Sequence, residues 1–563
     1  VGKLSIGDER RMGLKDHNTA SCDVLVIGGG GSGLRAAIEA KRRGVDVVVV
    51  SKSRVGYGNN TFISKGTFAA AAGWGDSRDN PDVHLKDSVI GGRFINDQKL
   101  LKLVTQGAVS QVEFLQRCGV KFYEQGGRIG VVHTPGHSYP RHVRGRDRSG
   151  RDFIIPLRAY AERIGVRFMD RAFITRLISS GGRIAGATGI ARDGTFSTFS
   201  ASSIVLSTGG FAGTYLHNNN AAGITGDGHA LAFELGVPLK DMEFVQFYPT
   251  ALGALGSRLF LYEAFIFQAG AVLRNALGDD IIAKYGLNDP MAMTRDRLTR
   301  AIMQEILEGR GISGGVIVDL SRVPKQELTA LRHLLPAPST PGEVELIVSP
   351  TAHFCMGGIS IDENAETSVP GLFAAGEVCA GVHGANRLGG NALSEVFVMG
   401  GVAGERAAQK ALESDQADLP EKEVLGEKER LESLLSVEGV DLGEIRRDLK
   451  DVMWRKAGII REKKGLEGAL ERNEEIAASL KEVRVRDYGG LRRYLEFKNM
   501  LLLSEMVCRA ALLRTESRGA HYRTDYPEED NGNWLKNILI RKEGKKMRLT
   551  AVTVPTEALA FST

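Results

Sequence analysis

Cysteine is scarce in this chain and never clustered. Cys22, Cys118, Cys355, Cys379 and Cys508 are its five, and no two lie within ten residues of each other. That spacing excludes a local CxxC ligand set for a metal or an iron–sulfur cluster, and it argues against a secreted disulfide framework. Long apolar runs are missing as well, since no stretch reaches membrane-spanning length. The opening "VGKLSIGDERRMGLKDHNTA" has no apolar core, so its Arg10–Arg11 pair does not read as an export signal. Charge of one sign is not in large excess: a net +5 on 563 residues is a mild bias and does not by itself point to nucleic acid. These absences give the expectation of a cytoplasmic protein with no metal site and no direct membrane span, any membrane attachment being peripheral and made through a partner.

Glycine, by contrast, is abundant. The 69 glycines gather in motifs rather than repeats, which suggests backbone held close to a ligand. The chain is too long for one simple core, so about two to four domains are expected. "CDVLVIGGGGSGLRAAIEAKRRGVDVVVVSKS" has a βαβ shape: strand at Val24 to Ile27, helix from Leu34 to Arg43, strand at Val47 to Val50. Gly28, Gly30 and Gly33 fit GxGxxG. Between a strand and a helix these glycines allow a tight turn and close pyrophosphate approach at a helix N-terminus. The second strand ends in Ser51-Lys52 rather than in a ribose-binding acid, which argues against NAD and leaves FAD open.

Two further strands, "ASSIVLSTGGFAG" and "VPGLFAAGEVCAG", also end in small residues, at Ser207 to Gly210 and at Gly376-Glu377. Such endings far apart in sequence suit one parallel sheet whose carboxyl ends surround one cofactor. Between about 250 and 345 the glycine motifs stop and helix-like stretches such as "TRDRLTRAIMQEILEGRG" suggest an inserted domain. From about 420 dense charge at helical spacing suggests an antiparallel helical bundle with solvated faces. The final "DYPEEDNGNWLKNILIRKEGKKMRLTAVTVP" alternates like strand and should pack back as a tail.

The motifs "VIGGGGSGLRAA", "STGGFAG", "MEFVQFYPT", "PTAHFCMGGI", "GLFAAGEVCAGVHGANRLGGNAL" and "RTESRGAHYRTDYP" together resemble one family. It is the flavoprotein subunit of succinate dehydrogenase and fumarate reductase, with L-aspartate oxidase a close relative. The resemblance covers about residues 20 to 535. It implies an α/β fold: a Rossmann-type FAD-binding domain in two parts (21–250 and 346–415), an inserted α+β capping domain (251–345) and a C-terminal helical domain (416–515). Outside these lie an N-terminal extension (1–20) and a C-terminal tail (516–563). Cofactor contacts are expected from Gly28, Gly30, Gly31, Ser32, Gly33, Ser51, Lys52, Asn59, Asn60, Thr61, Gly66, Thr208, Gly209, Asp227, Glu377, Arg387, Asn391, Ala392 and Leu393, with Ser394 nearby. "SKSRVGYGNNTFISKGTFAAAAG" resembles the loop that wraps the flavin. Where respiratory members carry a histidine bonded covalently to FAD, this chain has Asn60, so a non-covalent FAD is expected. "GHSYPRHVRGRDRSGRD" resembles an aspartate-oxidase segment near the flavin; its arginines lack the interleaved aromatics that nucleic-acid binding would use.

Hydride exchange between a flavin and a C–C bond needs a pinned substrate, neutralised carboxylates and an aimed proton donor. Arg387, among tiny neighbours in "GVHGANRLGGNAL", suits a two-pronged grip on a carboxylate. The resemblance adds His353 as a second carboxylate ligand and Arg295 as proton donor; a helix-start pair with Asp296 is the structural alternative for Arg295. Several positions depart from the family. "QFYPT" places Tyr248 where relatives have histidine. "YEAFIFQAG" stands where relatives read like "TEGCRGEGG": Glu263 survives, Tyr262 replaces threonine, and Ile266 and Gln268 replace the arginine and glutamate of the proton relay. Tyr248 and Tyr262 are therefore expected at a less charged, bulkier half of the substrate site, and the substrate is expected to be a small carboxylate. Electrons would pass to a separate iron–sulfur subunit, because this chain lacks cluster ligands. Alternatives are an L-aspartate-oxidase-like enzyme, a relative of the adenylylsulfate reductase alpha subunit, and a flavin electron-relay subunit without its own turnover.

Overall fold

The computed structural model describes residues 14–253, 259–261, 266, 269–289, 291–326, 328, 345–436 and 438–555. Tyr262, Glu263 and Gln268 lie outside the described residues.

Strand β1 (Lys15–Ile27) runs through a loop into helix α1 (Gly31–Arg42) and returns as β2 (Val47–Ser51). β1 starts earlier than its apolar half predicts, because its polar half also pairs with β3 (Thr195–Leu206), from Lys15 opposite Thr195 onward. α1 also begins earlier than expected, at Gly31. A Cβ on Gly33 would lie 2.0 Å from the carbonyl oxygen of Gly28, so only glycine lets the first helical turn sit so close to the strand end.

β1, β2, β3 and β4 (Leu372–Ala374) are parallel neighbours in a seven-stranded sheet, so their carboxyl ends share one edge. β3 is used twice. Its first half pairs antiparallel with Arg183–Ala191, and its last three residues pair with β4. The strand interiors, such as Val24 to Val26 and Ile204 to Leu206, are fully buried, as a sheet covered on both faces requires.

Residues 245–355 contribute an antiparallel sheet of Val245–Leu252, Glu345–Cys355, Val316–Asp319 and Val272–Arg274, in that order. Helix α2 (Arg295–Leu307) packs on it. Leu252, Leu273, Leu298, Ile302, Val318 and Val348 are among the buried residues of a second apolar core, separate from the large one. Helices Glu421–Ser433, Leu442–Lys456, Lys463–Ser479 and Tyr488–Leu513 follow, and Lys463–Ser479 buries Leu466, Ala469, Asn473 and Ile476 at helical spacing. The hairpin Lys536–Glu543/Lys546–Thr553 returns to pair with Leu239–Lys240.

The "RTESRGAHYRTDYP" stretch ties these parts together. Arg514 donates to Glu243 at 2.7 Å and to Glu516 at 2.9 Å, and Arg518 donates to Glu516 at 2.7 Å, all fully buried. Among the described residues no helix is long and apolar enough to cross a membrane. All five cysteines are buried free thiols.

Candidate active site

The strand ends open onto a cavity of about 890 Å³, near the top of the range of roughly 300–1,000 Å³ for small-molecule sites. One end is built from backbone. Gly28 to Gly31 and Ser32 line it at the start of α1; Gly390, Ala392 and Leu393 line it at the start of helix α3 (Asn391–Glu413). Both helices follow a glycine N-cap that has no side chain to cover their positive dipole ends, and in α1 the Gly31 amide donates to Thr61 Oγ1 at 3.2 Å. This is a cradle for phosphate oxygens. The glycines are demanded by space: a Cβ on Gly28 would fall 2.1 Å from the Ser207 carbonyl oxygen, and one on Gly66 2.3 Å from that of Ser149.

Polar side chains continue the wall. Lys52, at the end of β2, holds Asp227 at 2.5 Å, Thr225 at 2.8 Å and Glu496 at 3.0 Å. Thus the strand end that lacks an acid meets two acids from elsewhere. Asn60 donates to Asn220 at 2.5 Å and to Glu377 at 3.1 Å, while its own oxygen accepts from the Ala221 amide at 3.0 Å. Glu377 also accepts from the Cys355 amide at 3.2 Å, and burial pushes its carboxyl up to about 7. A long cleft with two helix N-termini, a glycine floor and amide and carboxyl groups along its wall fits a dinucleotide carrying pyrophosphate and ribose hydroxyls.

The other end is cationic and aromatic. Arg387 is 4% exposed; its Nη2 donates to Gln246 Oε1 at 2.8 Å, and its guanidinium lies 4.5 Å from the Phe354 ring centre. Arg295, the first residue of α2, donates to the same Gln246 oxygen at 3.2 Å and sits 4.8 Å over the Tyr248 ring. One neutral oxygen therefore serves both cations. Gln246 is fixed in turn, its Nε2 donating to Asn386 Oδ1 at 3.0 Å and to the Arg387 carbonyl at 2.8 Å. Asp296 accepts from Asn386 at 2.9 Å. His353 contacts Asn219 through Nδ1 at 3.0 Å, and its ring lies 5.1 Å from that of Tyr248. Burial, together with Arg295 and Arg387, holds His353 well below the usual imidazole range, so it is neutral.

Arg295, His353, Arg387 and Tyr248 thus meet in one cavity with Gly28, Gly30, Gly31, Ser32, Ser51, Lys52, Asn59, Asn60, Thr61, Gly66, Thr208, Gly209, Asp227, Glu377, Ala392 and Leu393. Two expected contacts lie behind the wall. Gly33 packs under the glycine loop, and Asn391 turns inward to His84 and Ser88, each at 2.8 Å. Ser394 likewise bonds the Ala69 carbonyl at 2.7 Å. Tyr262 and Glu263 cannot be placed, being outside the described residues. Ile266 is buried in the second apolar core.

Sequence reasoning missed several wall residues. Lys65 enters beside Phe260, 4.9 Å from its ring centre, and burial lowers the pKa of its ammonium. Its place inside the flavin-loop motif was the available signal. Asn219, Arg446, Arg492, Arg493 and Glu496 also line the cavity. The last four belong to helices whose charge reads as solvent-facing, so no sequence signal marks them.

Fold and cavity define a class, an FAD-dependent oxidoreductase. The FAD binding domain profile matches residues 23–393, and the fumarate reductase flavoprotein C-terminal profile matches residues 446–562. The chain belongs to the succinate dehydrogenase/fumarate reductase flavoprotein family. It is 36% identical over 536 residues to a subunit of the CoM/CoB fumarate reductase of Methanothermobacter marburgensis, covering 93% of this chain and 97% of that one. It is 31% identical to the fumarate reductase flavoprotein subunit of Haemophilus influenzae, with 92% of each covered. A quinol fumarate reductase structure from E. coli superposes with a TM-score of 0.91 at 29% identity, over 96% of this chain and 98% of that one.

Proposed function

We propose that this chain holds FAD without a covalent bond and interconverts the C–C and C=C forms of a small carboxylate, exchanging electrons with a separate iron–sulfur subunit. The observation that carries this reading is the convergence of Arg387, Arg295, His353 and Tyr248 at one end of a cavity whose other end is the glycine cradle. In the same reading residues 21–250 and 346–415 form a Rossmann-type domain, 251–345 a cap that brings in Arg295, and 416–515 a helical domain. FAD, when bound, supplies the two-electron carrier.

The chain's own residues do the rest. Arg387 grips a carboxylate with parallel hydrogen bonds. His353 needs an N–H aimed into the cavity. Rotating the Asn219 amide puts its Nδ2, otherwise a buried donor without a partner, onto His353 Nδ1 and leaves Nε2–H for the substrate. Tyr248 brings no charge and its hydroxyl donates to the Leu261 carbonyl at 3.3 Å, so it contributes its ring, while Lys65 brings a cation to the same wall. Arg295 gives its proton to the substrate carbon in the reductive direction. Phe260 and Leu259 beside Tyr248 admit a substrate with one carboxylate and an apolar group.

The test is steady-state turnover with a reduced viologen dye and fumarate, and with an oxidised dye and succinate, aspartate or bulkier monocarboxylates. Saturable turnover of at least one, lost in Arg387→Met with flavin retained, supports the reading. A yellow protein inert to all of them defeats it. Acid precipitation should release all the flavin; flavin left on the pellet would refute the non-covalent bond.

A further inference from the structure

Arg295 must regain its proton after each turnover, yet Ile266 occupies the place expected of the relay arginine and is only 8% exposed among aliphatic neighbours. Another set of groups comes close to Arg295 across a gap behind Gly389. His142 Cε1, Thr134 Oγ1 and Arg295 Nη2 lie 3.3, 3.6 and 3.6 Å from the point a Cβ on Gly389 would occupy. The absent side chain leaves the space between them open.

From there a line of polar contacts runs to the surface. His142 Nε2 is 3.0 Å from Thr134 Oγ1 and 3.3 Å from His137 Nε2. Arg141 Nη1 donates to His137 Nδ1 at 3.3 Å, and Arg141 Nη2 lies 2.9 Å from Asp87 Oδ2. Asp87 Oδ1 accepts from Ser138 Oγ at 2.6 Å, and Ser138 is exposed. Asp79, on Arg141 at 2.8 Å, and His84, 5.8 Å from His137 between ring centres, flank the line.

We propose that Ser138, Asp87, Arg141, His137 and His142 form the proton route to Arg295, in place of the relay that Ile266 interrupts. This rests on the reading of Arg295 as proton donor. With FAD bound and reduced, reduction of the C=C bond would need two electrons and one hydrogen from the flavin, and Arg295 would supply the balancing proton. Arg295 regains one proton from His142, His142 one from His137, and the route draws one from solvent at Ser138; oxidation sends one proton out the same way. Burial holds His142 down to about 3 and His137 well below its usual range, with Arg141 adding to both shifts and Arg295 to that of His142. The imidazoles are therefore neutral, and a neutral imidazole passes a proton by accepting on one nitrogen while releasing from the other.

The test uses the FAD-loaded chain with whichever dye and carboxylate the steady-state screen shows it to turn over. His142→Gln is expected to lower kcat about 10²-fold with KM within about twofold and flavin content unchanged, the scale of a lost acid–base group. The solvent deuterium isotope effect on kcat should rise, and imidazole should restore turnover to His142→Ala. Gly389→Ala, which places a methyl in the gap, should reproduce the His142→Gln loss. If the His142 variants fail to load FAD, His137→Gln carries the same readouts. Loaded His142→Gln or His137→Gln with kcat within about threefold of wild type overturns the route, and so does a loss that leaves the isotope effect unmoved and resists imidazole. Arg295→Gln separates the two readings: if it still turns over, the donor assignment fails, whereas an inert Arg295→Gln beside an active His142→Gln removes the route alone.

Discussion

At the scale of single residues, the site depends on how two cations are held close together. Arg387 and Arg295 share one glutamine oxygen, which holds the two guanidinium groups side by side. Replacing Arg387 by lysine keeps the charge but loses the planar fork. Arg387→Lys is therefore expected to lower kcat/KM by about 30-fold or more, the equivalent of ~2–5 kcal/mol for a truncated buried charge pair, while the flavin spectrum stays unchanged. A kcat/KM within about threefold of wild type would show that the grip on substrate lies elsewhere. The sequence made Arg387 legible because small neighbours surround it. It hid Gln246, whose role appears only when two distant arginines fold onto it, and it hid Lys65, read as part of a loop.

At the scale of elements, the critical joint is between α2 and the loop that carries Arg387. Asn386 donates to Asp296 on α2 and accepts from Gln246, so one amide sets the position of both arginines. Asn386→Asp would place a carboxylate against Asp296. The expected outcome is a fall in kcat of about tenfold or more at nearly constant flavin content; unchanged kcat would mean that α2 is positioned by its packing alone. The strand–glycine–helix element was legible from "VIGGGGSGLRAA" because its spacing and its chemistry coincide. The extra length of β1 was not, because half of that strand is polar and is extended only by its partner β3. His137 and His142 were partly legible, since "GHSYPRHVRGRDRSGRD" resembles a segment near the flavin, but their meeting with His84 and Gly389 was not, because those residues join them only in three dimensions.

At the scale of the whole molecule, burial of neutral histidines sets the response to acid. His84 and His142 are held to about 3 and His229 to about 4, in each case chiefly by burial, while His137, His353 and His521 fall well below the ordinary value. Unfolded, each binds a proton near 6.5; folded, it does not. Their stabilisation is thus fully present above 6.5 and is lost as pH falls toward 3, at about 1.4 kcal/mol per pH unit for each. Glu377 and Asp241, raised to about 7 by burial, oppose this with a similar slope for each group, their contribution being lost as pH rises through 7, so they reduce the histidine slope without reversing it. Denaturant midpoints should fall between pH 7 and pH 5, and His84→Gln should remove about one histidine's share of that slope. A midpoint flat across that interval would show that the buried rings are already charged.

The bond between Arg514 and Glu243 has a consequence for the timing of activity. Glu243 stands three positions before Gln246, and the Arg461 guanidinium also holds its backbone carbonyl at 2.8 Å. A polypeptide ending before Arg514 keeps every residue of the glycine cradle but strands a carboxylate at the root of the Gln246 strand. Such a clipped or half-synthesised form should bind flavin yet leave the carboxylate substrate untouched, so that competence for redox work arrives only once translation has passed the distal arginines. Co-expressing residues 1–513 with residues 514–563 as a separate peptide, and finding turnover restored only with both, would establish that order.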